Sequence, residues 1–570
     1  MTNAEPDPTQ ADDVREEEAL TRQRSIVQAF DEGHDADIPS DLGYVLDEAG
    51  EKRLRRSIGE RRRSISHEHD VEKEAGLDKE GAESGGKVGQ EGGDESGEGA
   101  ASSEDEANVV WWDGPDDPEN PFNWPTWRKV ATCSLISAMT FITPLGSSIF
   151  APGVPQLMRE FHSSSPELAA FVVSVYVLGF AAGPMLIAPL SELYGRNVVY
   201  HSCNVGFIAF LVGSALAPSL DALIVFRFFS GIFGSCPLTN GGGSIADMIV
   251  QEKRGAAMAA FSVGPLLGPI IGPVAGGFLA DAKGWRWVFW LMVILASTLA
   301  LVFFLFARET FAPVLLQRKV ARLRKETGND LLRSKLDIGL SPADYFKRGI
   351  VRPFKMLAQS PLCCVYAFYV AIAYGYLYLM FTSITEVFME SYGFSESTVG
   401  LVFLGLGIGS MAGLVFFSIT SDRTLKKMAK KKDGVMKPEY RLIPLPFGAI
   451  LLPAGFFIYG WTAENHVHWI VPIIGHVIIG MGNILVFMSI NMALVDTFSI
   501  YAASALAGNT VVRSVAGAVL PLCGLKMYHK LGLGWGNSLL GFIAVGMIPV
   551  AFLIIRYGEY LRARFPIKNL

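Results

Sequence analysis

Arg227, in LIVFRFFSG, and Arg513, in GNTVVRSVAG, each fall inside a run of apolar residues. A guanidinium is costly to place in hydrocarbon, so it faces a cavity or a partner, or it snorkels to the headgroup layer. Arginine keeps its charge, and a fixed cation shifts a neighbour's proton affinity as water reaches or leaves it. The groups near the apolar runs that could exchange a proton are Glu386, Asp247, Asp281 and Asp496, with His201 and His476 as weaker candidates. Around Arg513, Asn509 and Ser514 are placed to satisfy its donors. Structural and functional readings of Arg513 stand level.

Two stretches echo one another. In GPMLIAPLSELYGRN, Glu192 follows Gly183 by nine residues, and in GLVFFSITSDRTLKK, Asp422 follows Gly413 by nine. A third stretch, GPLLGPIIGPVAGG, sets Gly264, Gly268, Gly272 and Gly276 four apart, with Pro265, Pro269 and Pro273 alongside. Steps of four lie on one helix face. In lipid, small residues let backbones approach, and proline bends the helix. That face is a static seam or a sliding surface, and the residues alone do not separate the two.

The elements that carry these groups are apolar runs of bilayer length. The chain of 570 residues is 50% hydrophobic and 18% charged, against about a quarter charged in a soluble chain. Its mean hydropathy is +0.32. We count twelve spans, near 128–151, 167–190, 198–218, 222–246, 256–280, 285–307, 361–385, 396–420, 442–462, 468–494, 500–524 and 533–556, each about the ~20 residues a crossing needs. Six lie in 126–307 and six in 361–556, divided by a polar stretch at 308–360 and followed by a tail at 557–570. The matching counts and the echo suggest a six-plus-six duplication. Lys and Arg concentrate in one set of loops, which puts both termini in the cytoplasm. APVLLQRKVARLRK reads as an amphipathic helix along the inner membrane surface.

Residues 1–125 read as a disordered cytoplasmic tail. Within it, Ser57 and Ser64 follow arginine clusters in RLRRSIGERRRSIS. That segment is either a kinase target or a solvated basic run that touches anionic lipid. No signal-peptide pattern follows Met1. The net charge of -6 lies largely in the tail and gives no case for nucleic acid. The six cysteines have no metal-ligand spacing. No phosphate loop, H-E-x-x-H or G-x-S-x-G is present, which speaks against an ATP-driven pump or an enzyme. A channel would want a continuous polar stripe, which is not found.

GPLLGPIIGPVAGG resembles the span-five antiporter motif of major facilitator superfamily drug:proton antiporters with twelve spans. PLSELYGRN resembles their loop motif after span two, and RFFSGIFGSCPLTNGGGSIADM their span-four motif. ARETFAPVLLQRKVARLRKETG and LVDTFSIYAASALAGNTVVRS resemble the fungal members, so the likeness covers about 110–560. It implies an all-α membrane protein of twelve helices in two six-helix pseudo-repeats. It implies proton coupling at Arg227, to which we add Glu386, at the outer end of a cavity-lining span, and Arg513. Span one has no acid where many bacterial relatives carry one, so coupling through water and Arg227 alone stays open. Gly183, Glu192, Gly195 and Arg196 would form a cytoplasmic gate latch, with Asp422 and Arg423 as counterpart; Glu192 stands where the family usually has aspartate.

Substrate contacts would come from spans one, four, seven and ten, through Ser147, Ser148, Thr239, Asn240, Tyr374, Tyr376, Tyr378, Phe381, Asn483, Met488 and Asn491. Such an apolar, aromatic lining suits amphipathic organic molecules. The expected activity is export of drugs, toxins or secondary metabolites by alternating access, with polyamines or small organic acids as alternatives. The expected partners are the substrate, protons and membrane lipids; the expected drive is a proton gradient with no cofactor. A monomer in the plasma membrane is expected, with the vacuolar membrane as the other location.

Overall fold

The computed structural model describes residues 108–565, apart from 115, 338–340, 432–436 and 499–500, and without the side chains of 251–256, 259, 422, 425–426 and 429–431. Ser57, Ser64 and the Asp422 side chain lie outside the described residues. The first half holds α1 (Thr126–Ser148), α2 (Val154–Glu160), α3 (Pro166–Tyr194), α4 (Arg196–Ala215), α5 (Leu220–Gly234), α6 (Cys236–Met248), α7 (Gln251–Lys283) and α8 (Trp285–Phe306). The connecting stretch holds α9 (Ala312–Thr327) and α10 (Pro342–Gln359). The second half holds α11 (Pro361–Tyr392), α12 (Glu396–Lys431), α13 (Leu445–Glu464), α14 (Ile470–Phe498) and α15 (Ala502–Arg564).

Among the described residues, eleven helical stretches are long and apolar enough to cross a bilayer, and one of them, α15, holds two crossings. Its 63 residues break at Gly532, at φ 77° and ψ 170°. That φ favours glycine. The exposed Glu464 carboxylate accepts the N–H groups of Leu533 (2.7 Å) and Gly534 (3.3 Å), so it caps the limb that starts there. The expected twelve spans are therefore present, with the fourth divided into α5 and α6 before Pro237.

The halves meet along two helix pairs, α3 with α15 and α7 with α12. Ser174 Oγ donates to the Ala518 carbonyl at 2.9 Å across the first pair. Across the second, a Cβ on Gly277 would lie 2.6 Å from the Glu396 carbonyl and one on Gly400 2.6 Å from that of Pro273. The four-step glycine face of α7 turns instead to α1. Cβ atoms on Gly264 and Gly268 would stand 2.8–3.0 Å from backbone atoms of Ser137, Phe141 and Leu145. The helix contact expected of that face is present, and its partner is span one of the same half.

Two expectations are corrected. Residues 108–125 do not belong to a disordered tail. Val109–Val110 (β1) pairs in parallel with Arg333–Ser334 (β2), and Pro121–Asn123 forms a 3-10 turn. The α9 helix forms, but Val314, Leu316, Lys319 and Val320 are buried against protein rather than facing lipid. Lys319 is 4% exposed, and its ammonium donates to the Trp111 carbonyl (3.1 Å), Asp113 (2.6 Å) and Asp117 (3.5 Å). Burial would raise the Asp117 carboxyl, but the N–H groups of Asp113 and Glu119 and the Lys319 charge hold it below its usual value.

Candidate functional site

Arg227, on α5, is 1% exposed. Its guanidinium donates to the carbonyls of Ser147 (3.3 Å) and Val173 (3.4 Å) and sits 5.3–5.6 Å from the ring centres of Phe150, Tyr176 and Phe289. Among the described residues no carboxylate pairs with it, and its Nε has no partner. It is a buried cation held by carbonyls and rings, which removes the snorkelling alternative. One residue links it to the other half. Ser147 Oγ donates to the Pro144 carbonyl (2.7 Å), so the Tyr378 hydroxyl, 3.0 Å away, is the donor to Ser147.

Tyr378 heads an aromatic layer with Tyr374 (5.0 Å between centres) and Phe381 (5.4 Å), and Phe381 stacks on Phe403. Arg513 closes that layer from α15, 4.9 Å over Tyr374 and 5.1 Å over Phe487. The rings hold it where Asn509 and Ser514 were expected to. Asn509 Nδ2 donates to Asn491 at 3.1 Å, and Ser514 Oγ has no partner among the described residues.

The other residues expected to contact substrate make the following contacts. Tyr376 donates to the Leu540 carbonyl (3.0 Å) and packs on Phe456. Ser148 abuts Gly272 on α7. Thr239 bonds its own helix at Ser235 (2.9 Å), and Asn483 braces α14 to the Ala373 carbonyl (2.7 Å). Asn240 accepts from Ser191 at 3.0 Å, and Met488 is half-buried.

Glu386 does not meet Arg227. Its carboxylate lies 3.0 Å from His529 Nε2, a pairing of α11 with α15. His476 is buried among the rings of Phe388 and Tyr459, and His201 packs on Phe303 and Phe304. Asp281 is exposed. At the end of the bundle away from α9 and α10, Arg159 pairs with Glu396 (3.1 Å) and Lys526 with Glu167 (2.7 Å), both across the halves.

The end that carries α9 and α10, the basic end, holds the loop motif. Arg196 Nη1 donates to Ser191 (2.7 Å), its Nε to Asp247 (3.3 Å), and its guanidinium covers the Phe311 ring at 4.7 Å. In the second half Arg441 donates to Ser421 (3.2 Å) and to Asp496 (3.1 Å). Serine before the loop, arginine opening the next span and aspartate ending the span after that recur in both halves. Asp247 and Asp496, considered above as proton carriers, are the partners of these arginines. Arg423 is exposed, and Arg441 holds the place expected for it.

The carboxylate at the helix start is not Glu192. Glu309 accepts N–H groups from Arg196 (2.9 Å), Asn197 (3.1 Å), Thr310 (3.0 Å) and Phe311 (3.0 Å). Gly195, at φ 97°, makes room for it, since a Cβ there would collide with the carboxylate. Glu192 instead accepts from the Tyr345 hydroxyl of α10 at 2.9 Å. Burial and the Glu192 charge push that phenol up to about 12, so it stays a donor. Gly183 and Gly413 lie off the loops, where α3 touches α5 and α12 touches α14.

Glu309 sits in the quoted ARETF and gave no signal of its role; a lone acid just after a span was the only hint. Ser191 and Ser421 directly precede the two echoed acids and were readable as a pair.

Two six-helix halves, a buried cation near their junction and a Ser–Arg–Asp group repeated at one end fit a multi-pass membrane transporter. The chain belongs to the Major Facilitator Superfamily, whose family model matches residues 136–521. It is 58% identical to the "MFS-type transporter tndD" of Aspergillus flavipes, over 81% of this chain and 86% of that one. To the "MFS-type transporter penM" of Penicillium rubens it is 57% identical, over 80% and 89%. To the "Efflux pump radE" of Floropilus chiversii it is 50% identical, over 84% and 90%. A D-xylose-proton symporter shares the fold at TM-score 0.57 and 15% identity, over 74% of this chain and 97% of that one. A POT family transporter does so at 0.58 and 15%, over 77% and 97%. The family is not enzymatic.

Proposed function

We propose that the chain exports small amphipathic organic compounds of fungal secondary metabolism, that a proton gradient drives it, and that it works by alternating access. The observation that carries this reading is Arg227, fully buried, without a carboxylate partner among the described residues, and one hydrogen-bonded residue from Tyr378 of the other half. A fixed cation at the junction makes proton affinity and substrate charge there depend on which side water enters. Glu386 with His529 is the titratable pair of α11 and α15, and a proton held between them would be exchanged at the end opposite α9. The basic end is cytoplasmic on this reading, both termini lie there, and the membrane is the plasma membrane. The Ser191–Arg196–Asp247 and Ser421–Arg441–Asp496 groups act as the inner latch; the close contact of α7 with α12 at Gly277 and Gly400 carries the movement between the halves.

A second reading is favoured by one observation. Both intramembrane arginines flank the tyrosine layer and neither has a carboxylate partner among the described residues. That suits a substrate with an acidic group and disfavours a polyamine, which would seek carboxylates. The test is efflux from energised yeast cells lacking their own exporters, with a lipophilic toxin, its carboxylated analogue, spermidine and a dicarboxylate, with and without an uncoupler. Efflux of the lipophilic compounds, abolished by the uncoupler and by Arg227→Ala, is expected. Efflux indifferent to the uncoupler removes proton coupling, and export of spermidine alone removes the substrate class.

A further inference from the structure

A cavity of about 480 Å³ opens at the basic end, between the segment before α1, the start of α4, the chain after α8, and α9. Its size falls in the ~300–1,000 Å³ range of ligand sites. Five of its lining residues are basic and two acidic, and both acids are already engaged. Glu119 pairs with Arg322 at 3.1 Å, and Glu309 is filled by backbone N–H groups. Lys319, the most buried of the bases, is taken by Asp113 and Asp117. Three guanidinium groups remain, those of Arg128, Arg308 and Arg318, and among the described residues no carboxylate meets them. Arg128 is aligned over the Trp124 ring at 4.2 Å, and Arg308 lines the same cavity. Like charges gathered on one wall with no counter-ion repel, so an anion bound among them is favoured.

What lies beside the cavity indicates the source of that anion. Immediately before Arg308, the exposed Phe304, Leu305 and Phe306 form an apolar apron on α8, and Trp127 and Val130, 68% and 58% exposed, do the same on α1. An exposed tryptophan at the start of a crossing marks the headgroup level. The basic wall thus stands one residue from surface that faces acyl chains.

We propose that this cavity is a headgroup site for an anionic phospholipid of the leaflet at the basic end, its phosphate held by Arg128, Arg308 and Arg318 and its chains lying along the apron. Basic pockets at the ends of crossings take such headgroups. The site shares Glu309 and Asn197 with the start of α4, so its occupant sits against the carboxylate that holds Arg196 in the latch.

The experiment is native mass spectrometry of the full chain in detergent, titrated with phosphatidylinositol 4-phosphate, phosphatidylserine or phosphatidylcholine. Soluble inositol bisphosphate and inorganic phosphate serve as competitors. Retention of the anionic lipids over phosphatidylcholine is expected, lost by about a hundredfold when Arg128→Gln, Arg308→Gln and Arg318→Gln are combined, with weak competition by the soluble anions. The exposed single change Arg318→Gln should cost about fivefold without altering the melting temperature, and Lys347→Gln, on exposed α10 surface, should cost nothing. Equal retention by the native chain and the triple variant overturns the site. Full displacement by inorganic phosphate overturns the lipid as its occupant.

Discussion

In the first half Arg196 lies between Ser191 and Asp247 with its side chain 11% exposed, and in the second Arg441 lies between Ser421 and Asp496 at 21%. The aspartates differ likewise, 19% against 36%. The first arginine also has Phe311 beneath it and Glu309 on its amide; the second lies nearer water. A buried ion pair is costly to break because the survivor stays buried and charged, whereas a half-exposed one is resolvated. The same trio is therefore a firm joint in one half and a yielding one in the other.

The largest test of that contrast is Arg196→Ala beside Arg441→Ala. The first should lose about 3 kcal/mol and nearly all efflux, the second about 1 kcal/mol or less, read by melting temperature and transport; equal losses would break the comparison. Next comes Gly195→Ala against Gly532→Ala. Both need a positive φ, but Gly195 faces a buried carboxylate with four N–H bonds and Gly532 an exposed one. Surface expression should collapse for Gly195→Ala and fall only partly for Gly532→Ala.

A smaller contrast is expected between Glu309→Gln and Glu464→Gln, where loss of a charged cap costs about 1–2 kcal/mol buried and a few tenths exposed. The smallest effect is on pH. The Asp117 carboxyl is lowered on folding, so its contribution to docking α9 is full above the ordinary aspartate value near ~4 and fades as pH falls through its lower folded value. Asp117→Asn should remove that acid sensitivity, as read by protease cleavage between β1 and α1 over pH 3–7.

The spans were legible because lipid imposes long apolar runs, and the echo at Gly183 and Gly413 correctly announced two related halves. The repeated Ser–Arg–Asp group was half legible. Arg196 was named, but its carboxylate, Glu309, lies 113 positions away and only folding brings them together. Arg441 escaped because the loop before the ninth span is longer than its first-half equivalent, which moved the arginine out of register with the echo. The partner of Glu192 could not be read either, because Tyr345 stands in the connecting stretch that no local pattern ties to it. In the centre, Tyr374, Tyr378 and Phe381 stand together in one aromatic layer, whereas Ser148, Tyr376 and Asn240, expected beside them, face other helices.

The connecting helix α10 touches both halves. Tyr345 bonds Glu192, and Gly349 lies on Pro189. On the other side Arg352 covers the Tyr501 ring at 5.6 Å, and Leu357 meets Gly508. In the alternating access proposed above, rocking of the halves parts α10 from one of them in each cycle. On that proposal α10 is a strap that sets tempo, and loosening it should change how many molecules cross per second while leaving untouched which molecules they are.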